Sequence, residues 1–139
     1  MLQVGDRFPV ERLSVQPDGP AVVYFYPAAM TPGCTMEAKG FSDRYERFRA
    51  VGYEVIGVSI DPAATNDEFR TTCDLAFPIH SDEGAGLTTD LGILKDYGEY
   101  GRLAQRVTFL VDADGVVQQV WDVEDAGGHP DEVLAAVER

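Results

Sequence analysis

Cysteine, histidine and positive charge are scarce in this chain of 139 residues. Two cysteines are too few for a disulfide framework; they favour redox chemistry or inert burial in a reducing compartment. The two histidines, His80 and His129, are far apart in the sequence, so we expect no metal site and no cofactor. Eleven basic residues against 24 acidic ones give a net charge of −13, which disfavours nucleic-acid binding.

Long apolar runs are also missing. No run approaches the ~20 residues that a membrane span requires, and the first residues lack the basic and apolar regions of a signal peptide. We therefore expect a cytoplasmic protein with no membrane partner. The length of 139 residues and an apolar content of 45% predict a single globular domain, 1–139. We expect a monomer or a weak homodimer, although neither length nor composition determines the oligomeric state.

The stretch around Cys34 organises the rest of the chain. Residues 21–26 form a short apolar run rich in β-branched and aromatic side chains, which predicts a buried strand. Apolar residues at i, i+4 and i+7 predict an amphipathic helix over about 33–50, with Gly52 beyond its end. Prolines and a glycine between the two patterns force a loop. Cys34 is therefore expected where a buried strand leads into the first turn of a long helix.

The remaining elements alternate between strands and helices and then end in a hairpin and a helix. This order predicts an α/β thioredoxin-like fold, in which helices flank a mixed central sheet. The predicted elements are a strand at 53–60, a helix from Asp61 to near Asp74 with a capping box Thr65-x-x-Glu68, a short helix within 81–92, a loop at 93–105, strands at 107–111 and 116–123 around a turn at 112–115, and a helix after Pro130.

The predicted position of Cys34, in the first turn of a helix, favours a reactive thiolate. A helix N-terminus presents unpaired N–H groups and a partial positive charge, which stabilise a thiolate over a thiol. The helix dipole alone is too weak for full activation, so we expect a cationic side chain nearby. Thr31 places a hydroxyl three residues before the sulfur on the same loop.

Pro27-x-x-x-Thr31-x-x-Cys34 resembles the active-site pattern of the peroxiredoxins. With Tyr24-Phe25-Tyr26 before it and Glu37 after it, the stretch is similar to the Q-type branch, also called bacterioferritin comigratory proteins. Further similar segments follow in the same order along the chain: Val4-Gly5-Asp6-x-Phe8-Pro9, Val58-Ser59-x-Asp61, Phe77-Pro78 and Arg106-x-Thr108-Phe109-Leu110-x-Asp112-x-x-Gly115.

The resemblance implies a thiol peroxidase in which Cys34 attacks the O–O bond of hydrogen peroxide or an organic hydroperoxide. The sulfur would become a sulfenic acid. Thr31 would contribute its hydroxyl, Gly33 a backbone N–H at the helix start, and Pro27 a wall against water.

The resemblance implies that the expected cation is Arg106, immediately before the strand at 107–111. Its planar fork suits simultaneous contact with a thiolate and a peroxide oxygen, and Glu37 would anchor it. Ordinary alternatives remain at this stage. Arg106 could be a surface ion-pair residue, Glu37 a first-turn carboxylate favoured by the dipole, and Thr31 an N-cap that bonds the N–H of Cys34.

The second thiol, Cys73, is a candidate resolving cysteine. Q-type peroxiredoxins often carry this residue five positions after the first cysteine, but Lys39 stands there in this chain. A subset of the branch has its resolver in the second helix, which implies a disulfide between Cys34 and Cys73 that thioredoxin or a similar dithiol would reduce. Alternatively, Cys73 packs beside Phe69 in the core at helical spacing.

Other functions on the same fold are also considered. A thiol–disulfide oxidoreductase is disfavoured because Thr31 stands where a CxxC motif needs its first cysteine. A one-cysteine peroxiredoxin, resolved by an external thiol, remains an alternative. So does a non-catalytic binding module.

Overall fold

The computed structural model describes residues 1–138. Its seven strands are β1 (Ala21–Phe25), β2 (Glu54–Ser59), β3 (Ile79–Ser81), β4 (Leu94–Asp96), β5 (Arg102–Ala104), β6 (Val107–Val111) and β7 (Val117–Asp122). Five of them form one sheet in the order β3-β2-β1-β6-β7. Strands β1, β2 and β3 are parallel, whereas β6 and β7 are antiparallel to their neighbours. The predicted mixed central sheet is confirmed.

Five α-helices accompany the strands: α1 (Pro32–Asp43), α2 (Tyr45–Ala50), α3 (Ala63–Cys73), α4 (Gly86–Asp90) and α5 (His129–Val137). Alternate residues of β1 point to opposite faces, so that Val23 and Phe25 belong to one core cluster and Tyr24 to another. The second cluster also contains Cys34 and apolar side chains of α1, α2, α3 and α5. No helix within residues 1–138 has the length and apolar character needed to cross a bilayer.

The predicted helix at 33–50 is wrong in one respect, because the chain leaves helical geometry at Arg44. That residue has φ −106° and ψ 3°, and it separates α1 from α2. Its side chain donates to the Gly40 carbonyl at 2.9 Å and to Asp131 at 2.6 Å. The bond to Asp131 connects this point to α5, and helical periodicity in the sequence does not report such a tertiary contact. The apolar stripe survives the break, since Phe41, Tyr45 and Phe48 are all buried.

The predicted loop at 93–105 is also wrong, because β4 and β5 pair there as a small antiparallel sheet. Each strand has only three residues, which is too short for an alternating pattern to stand out in the sequence. Ile93 and Ala104 are buried and attach this hairpin to the main core.

The predicted capping box is wrong as well. Helix α3 begins at Ala63, so Thr65 lies inside its first turn and makes no cap bond. The carboxylate of Glu83 accepts from the Ala63 N–H at 2.7 Å instead. Two other local predictions are confirmed, because Gly52 has φ +87° after α2, and Gly115 has φ +82° in the turn that joins β6 to β7.

Candidate active site

Cys34 lies in the first turn of α1, at the carboxyl end of the central strand. The loop from Pro27 to Thr31 leaves β1, Thr31 is the N-cap residue with extended backbone angles, and Pro32 opens the helix. Cys34 is 1% exposed and belongs to the core cluster beneath α1. The predicted placement of this sulfur at a helix N-terminus is confirmed.

Arg106 reaches the sulfur from the residue before β6. Its Nη2 lies 3.5 Å from Cys34 Sγ, and its Nη1 donates to Glu37 Oε1 at 2.8 Å. One guanidinium therefore contacts both residues of α1. The sequence prediction that Arg106 and Glu37 meet beside Cys34 is confirmed in position, and a surface ion pair is excluded because the Glu37 side chain is 0% exposed and that of Arg106 19%.

Gly33 explains how the guanidinium comes so close. An added Cβ at this position would lie 3.2 Å from Arg106 Nη2, tighter than an ordinary contact. The glycine therefore leaves room for Arg106 above the helix start, a role that the sequence did not suggest. Pro27 is half-buried at the start of the loop, and its role as a wall against water stays a prediction.

Glu37 is a buried carboxyl with only one partnered oxygen. Its Oε1 accepts from Arg106, whereas Oε2 is buried without a hydrogen-bond partner among the described residues. Burial raises the pKa of Glu37 to about 7, and the charge and hydrogen bond of Arg106 act in the opposite direction. Glu37 is thus a carboxyl that titrates near neutral pH in direct contact with the arginine beside Cys34.

This raised pKa predicts a pH-dependent stability that Glu37→Gln should remove. Below about 7 the folded protein keeps the Glu37 proton, whereas the unfolded chain loses it above the ordinary value of 4.5. The folded state therefore binds more protons in this window, so stability falls as pH rises. From about pH 5.5 to about pH 8, the wild type should lose about 2 kcal/mol relative to Glu37→Gln. Urea denaturation at each pH measures the difference.

Glu46→Gln, at an exposed position of α2, is the matched control for the loss of one carboxylate. Its stability should track that of the wild type across the same pH range. Parallel curves for wild type and Glu37→Gln would show that Glu37 titrates in the ordinary range for a glutamate, contrary to this interpretation.

Thr31 is exposed at the mouth of the loop. Its hydroxyl donates to the Ala28 carbonyl at 2.7 Å and makes no capping bond to the first turn of α1. The alternative in which Thr31 caps the N–H of Cys34 is therefore wrong. A hydroxyl has one proton, which Thr31 donates to Ala28. Its oxygen lone pairs can therefore accept a hydrogen bond from another group.

Cys73 is the last residue of α3, half-buried against the cluster that contains Phe69. The structure does not bring it to Cys34. The next residue is Asp74, and its backbone carbonyl accepts from Ser42 Oγ at 3.5 Å, near the C-terminal end of α1. Ser42 lies eight residues beyond Cys34, which is about 12 Å along a helix axis. Both thiols are free, and joining them requires the chain to move because a disulfide spans less than ~7 Å between Cα atoms.

Sequence reasoning missed a polar network behind the loop. Tyr26 donates from its hydroxyl to Asn66 at 2.6 Å, Asn66 donates to Ser59 at 3.0 Å, and Ser59 donates to Asp61 at 2.7 Å. Asp61 in turn accepts from the Ala29 N–H at 2.9 Å. Their positions in the sequence could have indicated this network. Polar residues that directly follow buried parallel strands lie together at the carboxyl edge of the sheet, where ligands bind.

The fold and this site together define a class. It is a thioredoxin-fold protein with one cysteine, rather than a pair, at the start of the helix after the central strand, and an arginine beside the sulfur. The family model described as "AhpC/TSA family" matches residues 6–120, and the chain belongs to this family. Within the family it is a peroxiredoxin of the Q-type branch, as the sequence resemblance predicted.

The relatives agree with this assignment. Peroxiredoxin Q, chloroplastic, of Oryza sativa subsp. japonica is 46% identical over 103 residues, 74% of this chain and 46% of the relative. This chain spans about half the length of such curated relatives. The crystal structure of peroxidoxin BcpB from Mycobacterium tuberculosis has a TM-score of 0.84 at 31% identity, with 99% of this chain and 97% of that chain covered.

A structure of the Xanthomonas campestris bacterioferritin comigratory protein was described for its alkyl peroxide reduction activity. It has a TM-score of 0.79 at 36% identity and covers 87% of this chain and 79% of that one.

Proposed function

We propose that this chain is a thiol peroxidase that reduces hydrogen peroxide and organic hydroperoxides through Cys34. The observation that carries the proposal is the guanidinium of Arg106, which lies 3.5 Å from the sulfur while Glu37 holds its other nitrogen at 2.8 Å. An arginine fixed in this way stabilises the thiolate. It also offers donors to the oxygens of a hydroperoxide that lies next to the sulfur.

The reaction is a two-electron displacement at oxygen. The Cys34 thiolate forms a bond to the terminal oxygen of the hydroperoxide, and the O–O bond breaks. The transferred oxygen keeps its proton, so the sulfur is oxidised to a sulfenic acid, and the leaving oxygen takes a proton from solvent and departs as water or an alcohol. Negative charge grows on the departing oxygen during this step, which is where N–H donors from Arg106 and from the start of α1 lower the barrier.

The range of substrates is supported by the exposed loop and by one relative. Thr31 and Met30 are exposed on the loop before Cys34, so a substituent on the peroxide has an open side to occupy. The Xanthomonas campestris relative was described for alkyl peroxide reduction. We extend this activity to the present chain as part of the proposal.

Resolution of the sulfenic acid is assigned to Cys73, with thioredoxin or a similar dithiol protein as the final reductant. Lys39 fills the nearer position in α1, and Cys73 is the other thiol of the chain. The last turn of α3 supports this step because Arg70, Thr71 and Thr72 are exposed, so it can open with little loss of buried surface. A bond across about 40 residues would restrict the unfolded chain by about 4 kcal/mol on the entropic model.

The expected result of one equivalent of hydrogen peroxide is therefore a Cys34–Cys73 disulfide. Peptide mapping by mass spectrometry should find the linked pair in the wild type and lose it in Cys73→Ser. The linked form should regain two free thiols when incubated with reduced thioredoxin.

Failure to form this disulfide would indicate a different way of resolving the sulfenic acid. A persistent Cys34 sulfenic acid in the wild type, captured only by an added thiol, would make this a one-cysteine peroxidase and return Cys73 to a packing role. If glutathione but not thioredoxin restored the thiols, the proposed reductant would be wrong.

A further inference from the structure

One peptide group in the loop before Cys34 is held at both of its polar atoms. The N–H of Ala29 donates to Asp61 Oδ2 at 2.9 Å, and the carbonyl oxygen of Ala28 accepts from Thr31 Oγ1 at 2.7 Å. Both atoms belong to the peptide bond that joins Ala28 to Ala29. Because a peptide group is planar, fixing its N–H also fixes the direction of its C=O. Asp61 thereby sets the acceptor toward which the Thr31 hydroxyl points.

This arrangement determines what Thr31 offers to a ligand. The single hydroxyl proton is engaged with Ala28, so Thr31 meets an incoming molecule through its lone pairs, as an acceptor. A hydroperoxide still carries its O–H proton when it binds. The held orientation therefore suits a protonated hydroperoxide that donates to Thr31 while the guanidinium of Arg106 approaches from the side of the sulfur.

Asp61 is itself held in place by buried neighbours. Ser59 donates to the same Oδ2 at 2.7 Å, and Asn66 donates to Ser59 at 3.0 Å and to Ser81 at 2.7 Å. Ser59 is 0% exposed and Asn66 2% exposed. Buried groups that are already hydrogen-bonded have few alternative positions, so the carboxylate of Asp61 is oriented before any ligand arrives.

The loop also needs such an anchor. Met30, between the held peptide and Thr31, has φ +69°, a left-handed conformation that non-glycine residues disfavour. Residues in this conformation persist where the surrounding structure over-determines them. The bond from Ala29 to Asp61 fixes the peptide between Ala28 and Ala29, one residue before Met30.

We propose that Asp61 is a positioning residue for the reaction at Cys34, which acts by orienting Thr31 toward the hydroperoxide. The inference rests on the proposed peroxidase function, and it adds a residue 27 positions from Cys34 in the sequence. Among the described residues, the side chain of Asp61 is bonded to Ala29 and Ser59, and no hydrogen bond joins it to Cys34. Its effect passes through the peptide between Ala28 and Ala29.

Asp61→Ala should slow the reaction of reduced protein with hydrogen peroxide by about tenfold or more. A loss of this size is expected when a group that contacts the reacting atoms is misplaced. Alkylation of Cys34 by iodoacetamide needs the thiolate but not Thr31, so this rate should stay within about twofold of wild type. Asp61→Asn should restore most of the peroxide rate, because its amide oxygen can accept from Ala29 and Ser59. Glu68→Ala, an exposed carboxylate of α3, should match wild type in both assays.

A double-mutant cycle with Thr31→Val tests the route of the effect. If Asp61 acts through Thr31, adding Asp61→Ala to Thr31→Val should cause little further loss of the peroxide rate. Additive losses would overturn the proposal. So would a wild-type peroxide rate in Asp61→Ala, or an equal fall in the peroxide and iodoacetamide rates, which would indicate a general loosening of the site.

Circular dichroism establishes that each variant is folded. If Asp61→Ala does not fold, Ser59→Ala removes the donor that orients the carboxylate, and it should show the same selective loss of the peroxide rate. A wild-type protein that does not react with hydrogen peroxide would instead overturn the proposed function. If instead the wild type reacts and Asp61→Ala reacts equally fast, the peroxidase function stands and only the role of Asp61 is overturned.

Discussion

Cys34→Ser should abolish peroxide consumption. A serine hydroxyl at the start of α1 would not ionise near neutral pH, so it cannot attack the O–O bond. The substitution is nearly isosteric at a site that is 1% exposed, so the fold should be retained. The measurement is the loss of hydrogen peroxide under excess reduced thioredoxin, with circular dichroism to check folding.

The informative control is Cys73→Ser. It removes the other thiol, which lies at the far end of α3, and should leave the first oxidation of the protein near the wild-type rate. Steady-state turnover with thioredoxin should fall in this variant. Full turnover by Cys34→Ser would contradict the proposed function as a whole.

Arg106→Lys should slow the attack on hydrogen peroxide by about 10²–10³, the usual cost of one lost transition-state donor. The arginine contacts Glu37 through Nη1 and the sulfur through Nη2 at the same time. A lysine keeps the charge but presents one ammonium group, so it cannot hold both contacts in the same geometry. Stopped-flow measurement of the second-order rate constant gives the size of the effect.

Arg102→Lys is the matched control, since Arg102 is an exposed arginine on β5. It should leave the rate constant unchanged. If Arg106→Lys also reacted at the wild-type rate, the guanidinium would have no part in the chemistry, and its contact with Cys34 would be structural.

The part of the site that is local in sequence could be predicted from the residues. The strand at the centre of the sheet, the proline-containing loop and the helix start each leave a pattern within a few residues, and together they place Cys34. The position of Arg106 needed the family resemblance as well, because its partner Glu37 is 69 residues away along the chain. A pair so distant leaves no periodic signal.

What sequence reasoning missed depends on tertiary contacts. The break at Arg44 coincides with side-chain bonds to Gly40 and to Asp131 of α5, which helix propensity does not report. From the sequence alone, Asp61 is only part of a family segment and the start of a predicted helix, without a role at the site. Its bond to Ala29 arises because parallel strands bring their carboxyl ends to one edge of the sheet.

The sulfenic acid on Cys34 is the central claim, and trapping it tests the claim most directly. Cys73→Ser protein, which has no second thiol to resolve the intermediate, is treated with one equivalent of hydrogen peroxide in the presence of dimedone. Mass spectrometry of the digest should find one dimedone adduct on the peptide that contains Cys34, at near-complete occupancy. An unmodified Cys34 peptide with the peroxide still present would contradict the account.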